Sequence, residues 1–198
     1  GKTVAAVDCG TNSIRLLIGA IEEDGALREI TRENTIVRLG QGVDATGRLA
    51  PEAIERTREA LAAYVDRMEA EGVSAVRMVA TSATRDASNR DDFFGMTAEL
   101  LGRIQDGAQA EVISGEEEAE LSFTGAALDI DPERGPFCVI DLGGGSTEFI
   151  VGTAAGEILG AYSTQMGCVR LTERILRSDP PTGEETSEAR GYVDKQIA

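Results

Sequence analysis

The stretch VIDLGGGSTEFIVG, Val139 to Gly152, places one acidic residue and three consecutive glycines between two apolar runs. A phosphate-cradling P-loop needs a Lys followed by Ser or Thr at the mouth of a helix, so that the ammonium reaches the terminal phosphates. No Lys stands here. Gly145 is followed by Ser146, Thr147 and an alternating, β-branched run that reads as a strand. The glycines therefore occupy a strand-to-strand turn. Two readings of that turn stay open: a tight hairpin, or a nest of backbone amides aimed at an anion, with bare glycine backbone allowing close approach.

The N-terminal stretch VAAVDCGTNSIRLLIG, Val4 to Gly19, repeats the arrangement. Asp8, Gly10, Ser13 and Gly19 match Asp141, Gly143, Ser146 and Gly152 at one constant offset of 133, with an apolar strand on either side of both turns. Such internal similarity points to two related halves, each opening with strand, polar turn and returning strand.

Composition narrows the chemistry. The 198 residues can bury a real core and fit one large or two small domains. A hydrophobic content of 41% with 27% charged residues places the chain among soluble globular proteins. There is no apolar run of the roughly 18 residues a membrane span needs and no signal-peptide pattern, so a cytoplasmic protein without membrane association is expected. Cys9, Cys138 and Cys168 are odd in number and lack CxxC spacing, which argues against disulfides and zinc; they are expected to act as small buried residues. Histidine is absent. No Ser-His-Asp triad or His-ligated metal can be built within this chain, so hydrolytic chemistry falls to carboxylates, hydroxyls and hard cations. A net charge of −16 opposes general binding to nucleic acid or anionic membranes. A polyanionic substrate needs a locally arranged site.

Along the chain, a third strand from Leu27 runs into a polar turn at Gly42, and PEAIERTREALAAYVDRMEAEG is a helix with Pro51 at its first position and Gly72 as its stop. Val73 to Arg85 reads as a buried strand ending in hydroxyls and an arginine, followed by a helix over about 89–105, a strand at Ala110 to Ser114 and a third helix. The order βββαβαβα implies a mixed sheet covered by helices. DPERGP, Asp131 to Pro136, is a turn-rich boundary. After it come strands FCVIDL, STEFIVG and EILGAYSTQM, a helix over 167–177, and a last helix from near Glu184.

SGEEEAELSF, Ser114 to Phe123, opens the third helix. Ser114 with Glu117 forms a capping box, and acids in a first helical turn are favoured by about 0.3–1 kcal/mol each. Glu118 lies one position past the box and shares a face with the small residues Ser122 and Gly125. In a protein without histidine it is the candidate general base, although a first-turn acid also needs no further role. In VATSATR, Val79 to Arg85, the hydroxyls either cap the next segment or join Arg85 at a phosphate, as ligands gather at the carboxyl ends of such strands.

VAAVDCGTNSIRLLIG, ATSATR, VISGEEEAELSFTG and VIDLGGGSTEFIVG, in this order, resemble the exopolyphosphatase and guanosine pentaphosphate phosphohydrolase family, within the superfamily of sugar kinases, heat-shock chaperone ATPases and actin. QMGCVRL, Gln165 to Leu171, resembles the family's M-G-x-V-R-L segment. The resemblance implies an α/β, actin-like (ribonuclease H-like) fold of duplicated βββαβαβ domains flanking a cleft. The expected domains are residues 1–128 and 129–198, the second carrying only the first part of the fold, because a further glycine-rich segment of the family is not found before Ala198. It implies Glu118 as the catalytic residue that activates water, Asp141 and Glu148 as metal ligands with Asp8 as a further candidate, and Mg2+ or Mn2+ as the ion. Asn12, Ser13, Arg85, Gly143, Gly144, Gly145, Ser146 and Thr147 are implied phosphate contacts, with Arg15 a weaker one. The implied substrate is inorganic polyphosphate, with guanosine pentaphosphate as the alternative, and a homodimer is expected. A superfamily kinase and a polyphosphate-binding module without catalysis are the competing readings; the SGEEEA helix speaks against the kinase.

Overall fold

The computed structural model describes all 198 residues. The chain divides into two compact units, Gly1–Val112 and Ile113–Ala198.

In the first unit, β1 (Lys2–Cys9), β2 (Ser13–Ile21) and β3 (Leu27–Ile36) form an antiparallel meander, and β4 (Ala75–Ala80) and β5 (Ala110–Val112) add in parallel on the other side of β1, giving the order β3-β2-β1-β4-β5. Parallel neighbours need crossovers. The helices α1 (Val43–Thr46) and α2 (Pro51–Ala70) lie between β3 and β4, and α3 (Ser82–Asp86) and α4 (Arg90–Leu101) between β4 and β5. The helix expected from Pro51 is present with its proline in the first turn. Alternation along β1 and β2 buries Ala5, Val7 and Cys9 with Ile14, Leu16 and Ile18, and α2 adds Leu61, Tyr64, Val65 and Met68 to that core. The Tyr64 hydroxyl is satisfied there, donating to Ile14 O at 2.8 Å.

One expected strand is shorter than its sequence suggests. β4 stops at Ala80, and SATRD forms α3: the Thr81 amide still bonds Cys9 O along the sheet, whereas Arg85 N turns back to Thr81 O. The cysteines also differ from expectation. Cys9 is buried, and burial pushes its thiol pKa up, but Cys138 and Cys168 are exposed.

The second unit consists of α5 (Gly115–Ala127), the antiparallel sheet β6 (Phe137–Leu142), β7 (Thr147–Gly152) and β8 (Ile158–Thr164), then α6 (Cys168–Arg174) and α7 (Gly183–Ile197). Ala119 and Phe123 of α5 bury against Ile150, with Val139 and Ile158 beside them. For this reason the division by contacts falls ahead of α5, whereas the sequence-based boundary at residue 128 falls behind it. The duplication extends to an irregularity: pairing shifts register between Ile18 and Gly19 in β2 and between Val151 and Gly152 in β7. The covering differs. Val7 and Cys9 are each 1% exposed, while their counterparts at offset 133, Ile140 and Leu142, are 61% and 73% exposed. No helix is long and apolar enough to cross a membrane.

Candidate active site

Three carboxylates converge in the second unit. Asp141 on β6 and Glu148 on β7 are direct cross-strand partners, and Ser163 on β8 is the next residue of the row. Like charges placed opposite each other repel, so this pair asks for a counter-charge. Glu118 comes from the first turn of α5, and one oxygen from each of Glu118, Asp141 and Glu148 lies within 4.8 Å of the others. An all-carboxylate donor set fits a hard divalent cation and does not fit zinc, which favours His and Cys.

Serine hydroxyls hold two of the three carboxylates. Ser122 Oγ donates to Asp141 Oδ2 at 2.6 Å, and Ser163 Oγ donates to Glu148 Oε2 at 2.5 Å. Ser146 Oγ makes a longer contact to Glu148 Oε1, 3.4 Å. Glu148 is 1% exposed. Burial raises its pKa above the usual carboxylate range; the Ser163 and Ser146 hydroxyls act the other way, and the Asp141 charge adds to the rise. Helix α5 reaches this place because residue 115 is glycine: a Cβ there would stand 2.5 Å from Ser163 Oγ and 2.6 Å from its Cβ. Ser114 caps the helix as expected, accepting from Glu117 N at 3.1 Å. Ser122, which the sequence marks only as a small residue sharing a face with Glu118, is the partner of Asp141. Ser163 carried no sequence signal at all.

The glycine turn adjoins this cluster through Ser146. It closes by Gly143 N donating to Ser146 O at 3.0 Å, and its carbonyls are tied from one side by the start of α6: Cys168 N donates to Gly143 O at 3.1 Å, and Val169 N and Arg170 N donate to Gly144 O at 2.9 and 3.0 Å. In a trans peptide the N–H points opposite to the C=O. The amides of Gly144 and Gly145 therefore face away from α6, and neither makes a hydrogen bond within the protein. Two successive amides turned outward are the donors that an anion nest would use. Thr147 departs from its expected role: its buried hydroxyl donates inward to Met166 O at 2.8 Å, so the side chain joins turn to fold and does not face a phosphate.

The remaining expected residues lie in the first unit, around the matching turn. Gly10 N donates to Ser13 O, again at 3.0 Å. Asn12 and Ser13 are half-buried, Asp8 and Arg15 are exposed cross-strand partners, and Arg85 sits half-buried in α3. Thr11 Oγ1 and Thr84 Oγ1 are buried without a hydrogen-bond partner. These two orphaned hydroxyls lie in the segments that bear Asn12 and Arg85.

Comparison with known proteins gives the family. The profile of the Ppx/GppA phosphatase family matches residues 18–198. Exopolyphosphatase 2 of Mycobacterium tuberculosis is 57% identical over 197 residues, which are 98% of this chain and 61% of that protein. The crystal structure of an exopolyphosphatase-like protein matches with 43% identity and a TM-score of 0.89 over 99% of this chain and 60% of the other. The Ppx/GppA family member of Aquifex aeolicus matches with 36% identity and a TM-score of 0.74, over 99% and 61%. The chain thus spans about three-fifths of the length of these relatives. With a family profile over residues 18–198 and relatives this similar in sequence and structure, the chain belongs to the Ppx/GppA phosphatase family and has its actin-like fold.

Proposed function

We propose that the full-length protein is an exopolyphosphatase, releasing orthophosphate from the end of inorganic polyphosphate. The observation that carries this reading is the joining, through Ser146, of a three-carboxylate cluster to a turn whose amides face outward. The names of the relatives favour polyphosphate over guanosine pentaphosphate. Asp141 and Glu148 hold a divalent cation, Mg2+ or Mn2+; when bound, the ion neutralises charge on the phosphoryl oxygens. The amides of Gly144 and Gly145, with Ser146, bind the terminal phosphate and orient it. Glu118 takes a proton from water as the water oxygen bonds to phosphorus, the bridging P–O bond breaks, and the shortened chain leaves with the electron pair. Asn12, Ser13 and Arg85 serve as phosphate contacts of the first unit's own turn, and Asp8 as an additional carboxylate. The protein works as a cytoplasmic homodimer, which sedimentation of the full-length chain tests.

The deciding experiment follows orthophosphate release from polyphosphate and from guanosine pentaphosphate in parallel, with and without Mg2+ or Mn2+. Glu118→Gln is expected to slow release by about 10²–10⁴-fold while orthophosphate still binds. Release at the wild-type rate would remove Glu118 as the base. No release from either substrate by the wild type would leave a polyphosphate-binding module without catalysis.

A further inference from the structure

Gly145 O, the third carbonyl of the glycine turn, is held by a side chain: Arg170 Nε donates to it at 2.7 Å. By the same antiparallel arrangement of C=O and N–H across a trans peptide, that bond sets the direction of the Ser146 amide. We propose that Arg170 is a positioning residue, completing a row of three outward amides at Gly144, Gly145 and Ser146 that receives a phosphate. The proposal rests on the phosphate-binding reading of the turn.

The first unit shows why a side chain is needed. There Val37 N and Arg38 N both donate to Asn12 O, and Gly40 N donates to Thr11 O, so backbone amides alone hold the matching carbonyls. Position 37 corresponds to 170 at the offset of 133, and Asn12 to Gly145. In the second unit α6 begins at Cys168 and its coil takes the Arg170 amide to Gly144 O. Gly145 O is then left to the Arg170 side chain. Gly167 permits the close approach: a Cβ at that residue would overlap the carbonyl carbon and oxygen of Gly144. Gly167 and Arg170 thus have one task, pressing and tying the turn so that its dipoles are oriented before an anion arrives.

The bonding atom makes the proposal testable. Gln carries its amide nitrogen at the same number of bonds from Cα as Nε of Arg, so Arg170→Gln keeps the donor and removes the charge, whereas Arg170→Leu removes both. Orthophosphate affinity is measured by calorimetry on the full-length wild type and both variants, with Mn2+ affinity by electron paramagnetic resonance and thermal unfolding in parallel. The expected result is a loss of about three- to tenfold in orthophosphate affinity for Arg170→Leu, as for one hydrogen bond. Arg170→Gln should stay within about twofold of wild type, and Mn2+ affinity should be unchanged in both. Wild-type affinity in Arg170→Leu would overturn the proposal. So would a Gln variant that loses affinity, because the guanidinium charge, and not the single bond to Gly145 O, would then be what the site requires; this second outcome decides the matter even if the Leu variant unfolds. Failure of the wild type itself to bind orthophosphate would instead refute the phosphate-binding reading, and this inference with it.

Discussion

The turn at residues 10–13 and the turn at residues 143–146 close with the same backbone hydrogen bond and are both gripped through their carbonyls by the segment after the third strand, yet they present different chemistry. The first offers side chains, Thr11, Asn12 and Ser13; the second offers bare backbone at Gly143, Gly144 and Gly145. Only the second has a carboxylate trio beside it, because its strand pair sets Asp141 opposite Glu148 where the first sets Asp8 opposite Arg15. One backbone scaffold has thus been loaded in two ways. An Asp–Arg pair carries no net charge; an Asp–Glu pair carries two negative charges, and with Glu118 close by it forms a site of concentrated negative charge.

The sharpest way to break this asymmetry is Glu148→Gln. Phosphate release by the full-length enzyme should fall on the order of 10²–10³-fold. The metal-free protein, in contrast, should become more stable. Burial raises the Glu148 pKa, so this group's contribution to stability is fully present below its unfolded value and is lost as pH rises through the raised folded value. The gain in melting temperature from Glu148→Gln is therefore expected to be larger at pH 8 than at pH 4, and a variant equally stabilised at both would contradict it. Copying the first turn into the second with Gly144→Thr and Gly145→Asn should weaken orthophosphate binding by about tenfold, the scale of one or two hydrogen bonds, with Mn2+ affinity kept; unaltered binding would show that bare backbone is not required. A third pair concerns the bulges. At Gly152 a Cβ would stand 2.5 Å from the ring of the buried Phe123 and 2.9 Å from Glu157 O, whereas at Gly19 it would meet the exposed side chain of Leu27. Gly152→Ala should cost about 1–3 kcal/mol in urea unfolding and Gly19→Ala less, since Leu27 can move aside; equal costs would refute the distinction. The smallest effect is at α7, where Thr182 and Glu185 form a complete capping box and backbone amides, that of Thr182 foremost, hold the Glu185 pKa at about 2. Thr182→Ala should cost about 1 kcal/mol. The Glu185 contribution is present above an unfolded pKa of about 4.3 and fades as pH falls towards 2, so Glu185→Gln should flatten the acid limb of the stability profile.

Much of the fold was legible because it is written in side-chain periodicity and in glycine and proline positions. Pro51, the cap at Ser114 and the alternation of β1, β2, β6 and β7 all locate their elements. The repeat was legible because four residues, Asp, Gly, Ser and Gly, keep their spacing in both copies. The rest depends on partners that leave no local mark. ATSATR reads as a strand end until the Arg85 amide is seen to bond Thr81 O. That α5 belongs with the second sheet follows from Phe123 meeting Gly152, which no periodicity reveals. Ser122, Ser163 and Arg170 act on an oxygen elsewhere in the chain; a serine or arginine in isolation does not say which. Thr147 misleads for the same reason, as its hydroxyl has an inward acceptor in Met166 O.

The two bulges have a consequence for how faithfully the strands pair. A slip of one residue would carry every side chain of a strand to the opposite face, and in β7 and β8 it would part Glu148 from Ser163. A regular sheet can slide along its ladder by small steps; a kink cannot slide unless its crowded site moves to another residue able to occupy it. The extra residue is Leu159 of β8, which stands between the pairs Val151–Gly160 and Gly152–Ile158, and opposite it Gly152 leaves room where a Cβ would meet the Glu157 carbonyl oxygen at 2.9 Å. The irregularity therefore works as a detent, admitting one alignment of β7 on β8 and holding the acidic row in line from the far end of the strand.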